Sequence, residues 1–217
     1  THILHIYLFF KEIKIKRYNF SKIKPKLNFI VTNYSNELIG MFGGRIDKIV
    51  IGAMFGFTLL GHYSLAVQVI AGLMILPTII TKYLITEDLY GVENFSFRKK
   101  IVASCIGISL LGIFVVPEII PHIFPKYLEV IEPIRIMSLS ILPNTFGRMQ
   151  VSKYLSQERG QIIMVGAVSF VLVLFVGIFT LVNSLGIIGL AISFVLAYVC
   201  QVITHTLYDK KFPYIER

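Results

Sequence analysis

The sequence predicts an all-α fold: a polytopic membrane helical bundle of six transmembrane helices, preceded by a short remnant of another helix. Three observations predict it. Hydrophobic types make up 55% of the 217 residues, mean hydropathy is +0.75, and only 15% of residues carry charge; soluble domains sit near about 25% charged. Six apolar stretches reach the roughly 20 residues that a helix needs to cross about 30 Å of hydrocarbon. The basic residues behind the net charge of +9 gather in alternate connections between those stretches. Together these features exclude a cytosolic enzyme, a disordered tail and a nucleic-acid-binding domain. A 217-residue globule could not hide this much apolar surface.

Residues 1–10 contain an apolar stretch, His2 to Phe10, too short to cross. With Thr1 in the place of methionine, it reads as the end of a truncated preceding helix, and the chain as a fragment or one half of something longer. Residues 11–26 form a basic linker with seven lysines and arginines. The bundle occupies 27–208 and the tail 209–217. The spans run from about Leu27 to Phe57, His62 to Leu84 (with Pro77), Ile101 to Ile120, Leu128 to Tyr154, Gln161 to Val182 and Ile187 to Leu207. The fourth is expected to break at Pro133 and Pro143.

Seventeen of the 21 basic residues fall in the linker, in the ends of the second and fourth spans together with the loops after them, and in the tail. The remaining loops hold almost none. This positive-inside pattern predicts a multi-pass protein of the cell (plasma) membrane with both termini cytoplasmic, and it accounts for +9 without nucleic acid. Tyr63, Tyr83, Tyr127, Tyr154 and Tyr208 lie near span ends, where amphipathic rings sit well. Cys105 and Cys200 read as small buried hydrophobes.

The first span is unusual. It carries Asn33, Asn36, Glu37, Arg45, Asp47 and Lys48, and each charge costs at least about 2.5 kcal/mol near the bilayer centre. At 100° per residue all six fall within an arc of about 180°, opposite an apolar face. Such an arc faces protein or a water-filled cavity. Two readings stand: buried ion pairs that lock helices together, or a polar cavity used for transport. Gly40 and Gly44, like Gly52 and Gly56, have the small-xxx-small spacing of close helix approach. Gln68 in the second span, and Asn144 and Arg148 after Pro143 in the fourth, are further candidates to line the cavity; interhelical hydrogen bonding is the alternative. Glu118 and His122, four apart, read as a wetted helix end rather than a metal or proton site.

Zinc-protease, phosphate-loop and nucleophile-elbow motifs are absent from the sequence. Neither an enzyme nor a cofactor is expected.

Asp47 is followed by Ile51-Gly52, Gly56, Gly61-His62-Tyr63-Ser64-Leu65-Ala66 and Pro77. This stretch resembles the Wzx-type flippases of polysaccharide biosynthesis, in the multidrug/oligosaccharidyl-lipid/polysaccharide exporter superfamily. The basic linker resembles the loop joining the two halves of such proteins, so the six spans match a second half. The resemblance implies alternating-access movement of a lipid-linked oligosaccharide, with membrane lipids, that substrate and a missing N-terminal half as partners. Asp47 matches the motif acid. Arg45, Lys48 and Arg148 are the cations expected to hold the phosphates, with Glu37 and Asp47 positioning them or carrying a coupling ion. The rival expectation is a structural or assembly subunit whose charged helix pairs with a partner; a membrane-embedded transferase is the third.

Overall fold

The structure is a computed structural model and describes residues 27–89 and 95–212; the expected remnant, the basic linker and the last residues of the tail lie outside the described residues. Every regular element among the described residues is helical. Helix α1 (Leu27–Phe55) is continuous over 29 residues. It stops at Gly56, whose φ of 89° only glycine adopts without strain. Helix α2 (Phe57–Leu73) follows at once, and α3 (Ile75–Leu89) continues it after a 48° bend at Met74. Pro77 accounts for the bend: it has no N–H to offer the Leu73 carbonyl, and its ring displaces that carbonyl.

Helix α4 (Phe95–Leu110) runs through a π turn (Leu111–Val115) into α5 (Val116–Ile123). The wide turn, in which the Val116 amide donates to the Leu111 carbonyl, relieves the clash that Pro117 would make in a regular helix. After a 3-10 turn (Leu128–Val130) come α6 (Ile131–Ser138) and α7 (Ile141–Ser156). The chain breaks at Leu139–Ser140, one turn before Pro143, and at the 3-10 turn Leu128–Val130 just before Pro133, as the two prolines lead one to expect. Each proline is the third residue of the helix that follows its break, and Pro143 has no N–H to offer the Leu139 carbonyl, as Pro77 has none for Leu73. The groups freed at the break are satisfied internally. Ser109 Oγ donates to the Ser138 carbonyl at 2.9 Å, and the Ser140 amide donates to the Met137 carbonyl at 2.9 Å.

Helices α8 (Gly160–Leu185) and α9 (Ile187–Lys211) form an antiparallel hairpin joined by Gly186 alone, at φ 55° and ψ −130°. Their contact is the most extensive in the fold, and α8 packs in turn against α1. Small residues set the approach: Gly177 lies against Ser193, and Gly166 against the imidazole of His205.

Among the described residues three rods are long and apolar enough to cross a membrane: Ser96–Ile123, Gly160–Leu185 and Ile187–Lys211. The α2–α3 pair makes a fourth if the bent helix is one span. The other two expected spans differ: α1 carries its charges mid-helix, and α7 has only 16 residues. Large apolar side chains such as Ile49, Phe57, Phe114, Leu172, Val176 and Leu207 are exposed, while Ser138, Ser140, Ser152, Ser193 and His205 are buried. A water-soluble domain arranges these the other way round. The architecture is compatible with a membrane protein.

Candidate functional site

A cavity of about 430 Å³ lies among α1, α2, α7, α8 and α9. Its polar lining consists of Asp47 and Lys48 from α1, Asn144 and Arg148 from α7, and Tyr198 and Gln201 from α9. Ile70 from α2, Met74 at the bend after it, Leu174 from α8 and Phe194 from α9 supply apolar wall. The 48° bend at Met74 therefore sits at the cavity's edge.

Asp47 is the buried charge of the site, only 3% exposed. Its carboxylate is held from three directions. Tyr63 Oη donates to Oδ2 at 2.8 Å, the Lys48 amide donates to Oδ1 at 2.7 Å, and Lys48 Nζ lies 3.8 Å from Oδ1. Burying a carboxylate costs free energy, which such partners offset. Tyr63, expected at the membrane interface, is instead 1% exposed and points its hydroxyl inward. The one-residue turn at Gly56 folds α2 back on α1 and makes this contact between residues 16 apart possible.

On α7, Arg148 Nε donates to Asn144 Oδ1 at 2.9 Å, one helical turn away. That bond braces the guanidinium on the cavity side. The lining thus holds two cations against one carboxylate, a net positive charge in a largely apolar chamber. It offers guanidinium and ammonium donors, two amides and a phenol. This set suits an anion carrying hydroxyl groups. It provides no nucleophile paired with a base.

Four of the eight sequence-predicted residues meet here: Asp47, Lys48, Asn144 and Arg148. Arg45 is exposed on α1 and Gln68 exposed on α2, both outside the lining. Asn33 and Glu37 lie on α1, but their side chains fall outside the described residues. Sequence reasoning missed Tyr63, Tyr198 and Gln201. The spacing of Tyr198 and Gln201, three apart on one helix face, was the available signal.

Elsewhere, His122 Nδ1 lies 3.1 Å from its own helix's Glu118 carbonyl, and the described residues contain no group of three metal-ligating side chains. Both cysteines are free thiols, and Cys105 is buried against Thr145. Comparison of the chain with family models, curated proteins and solved structures finds no match. The flippase resemblance therefore rests on Asp47 to Pro77.

Proposed function

We propose that the chain is half of a transporter that moves a lipid-linked oligosaccharide across the cell membrane by alternating access. On this reading it spans the membrane six times with both termini cytoplasmic, does no covalent chemistry, and works with a second, N-terminal half. The observation that carries the proposal is the polar cavity, in which residues far apart in sequence converge on one positively charged chamber. Lys48 and Arg148 hold the phosphates, Asn144 and Gln201 meet sugar hydroxyls, and Asp47 fixes the position of Lys48. The lipid tail stays in the bilayer, and rocking of one bundle against the other exposes the site to each side in turn.

The test is the Lys48→Ala/Arg148→Ala double variant of the full-length protein in its own cells. Surface glycan is expected to disappear while the amount of membrane-inserted protein stays the same. Normal glycan in that variant overturns the proposal.

A second reading has one observation in its favour. Arg45 is exposed on α1 outside the cavity, as an assembly subunit's partner contact would be. Loss of glycan on Arg45→Ala alone, with the cavity variant normal, selects that reading.

A further inference from the structure

A second cavity, of about 390 Å³, opens between α4 and α7 away from the central chamber. Arg98 and Lys99 from α4 and Lys153 from α7 line it, with Gln150 beside them and Val102, Phe146 and Met149 as its apolar wall. It adjoins a smaller cavity of about 190 Å³, which shares Val102 and Phe146 and continues along Cys105, Leu142 and Pro143. The two form one furrow with a sharp division of character. One end carries three cations; the other is almost wholly apolar.

The dimensions fit one kind of occupant. From Lys153 to Leu142 the furrow follows α7 for 11 residues, or about 16 Å at 1.5 Å per residue. That is about half the roughly 30 Å hydrocarbon thickness of a bilayer, the depth of a single leaflet. A headgroup at the cationic end would leave one acyl chain lying along the furrow.

The charge is complementary. Lys153 Nζ lies 3.5 Å from Asp209, but that carboxylate is bonded to Arg159 as well, so the region stays positive. The first turn of α4 holds no acidic residue, and Arg98, Lys99 and Lys100 follow it. Cations near the start of a helix oppose its dipole, and a bound anion offsets that repulsion.

We infer that the α4–α7 furrow is a binding site for an anionic phospholipid of the surrounding bilayer, with its phosphate on Arg98, Lys99 and Lys153 and one acyl chain against Val102 and Phe146. The inference rests on the membrane reading of the fold but not on transport. It makes the lipid a resident of the protein's flank, distinct from any cargo in the central cavity.

Native mass spectrometry tests this on the full-length protein released from micelles holding equal phosphatidylglycerol and phosphatidylcholine. The wild type is expected to retain phosphatidylglycerol preferentially. Arg98→Ala/Lys153→Ala should reduce that preference about 30-fold, since each basic residue near a membrane surface contributes about 1 kcal/mol toward anionic lipid. Arg98→Lys/Lys153→Arg keeps both charges and should keep the preference. Val102→Phe fills the furrow and should lower retention of phosphatidylglycerol.

Equal retention of the two lipids by the wild type overturns the inference. So does a preference that survives the alanine pair, or is lost in the charge-conserving pair. Displacement of the phosphatidylglycerol by millimolar inorganic phosphate, with Val102→Phe binding as wild type does, shows a simple anion site and also overturns it. Retained lipid with failed transport counts against the transport proposal alone.

Discussion

Replacing Tyr63 by phenylalanine removes one oxygen from the structure and tests what supports the Asp47 side chain. The hydroxyl donates to Asp47 Oδ2 at 2.8 Å, with donor and acceptor residues 1% and 3% exposed. Hydrogen bonds to charged groups contribute about 1.5–3 kcal/mol. Asp47 keeps the Lys48 amide and ammonium after the change and borders a cavity, so the lower part of that range applies, about 1.5–2 kcal/mol. In an Asp47→Asn background the same bond joins two neutral groups and is worth about 1 kcal/mol. A double-mutant cycle should therefore give a coupling of about 0.5–1 kcal/mol between the two positions. Unfolding of the purified protein, followed by labelling of the Cys105 thiol that is 1% exposed in the fold, supplies the four free energies. A Tyr63→Phe loss of the same size in both backgrounds would refute the assignment of this bond as the carboxylate's principal side-chain support.

Three further substitutions address the helix packing. Gly186→Ala should cost about 1–3 kcal/mol, purely through its backbone angle, because nothing lies within 4 Å of an added Cβ there. Gly72→Ala, equally uncrowded but without a positive φ, should be neutral or stabilising by up to about 1 kcal/mol; equal effects at the two sites in thermal melts would contradict this account. Gly166→Ala places a methyl group where the His205 ring now sits, in a contact buried on both sides. It should destabilise by about 1–3 kcal/mol, with recovery when His205→Ala is added, and a variant that melts like wild type would show that α8 and α9 part freely.

The α8–α9 hairpin was legible because an uninterrupted apolar run must cross or be buried, and Gly186 marks its turn. Asp47, Lys48, Asn144 and Arg148 were legible for the converse reason: a polar group in an apolar run needs a partner. Faces are another matter. A helical wheel gives the angle between Arg45 and Lys48 but not which neighbour covers each, and only the seating of α8 on α1 decides that. Tyr63 sits where an interfacial residue is expected, and nothing local marks it as inward-facing. Pro77, Pro133 and Pro143 each follow a break by about one turn, because a proline withholds the N–H that the carbonyl four residues earlier would need.

The one-residue turn at Gly56 also orders events during synthesis. Chains emerge amino end first, so Tyr63 leaves the ribosome soon after Asp47, whereas the walls given by α7, α8 and α9 follow about 80 to 140 residues later. The phenol and the carboxylate can meet as a local hairpin, before the chamber around them exists. The buried carboxylate is then accompanied from the start, and the late-made helices close around a settled pair.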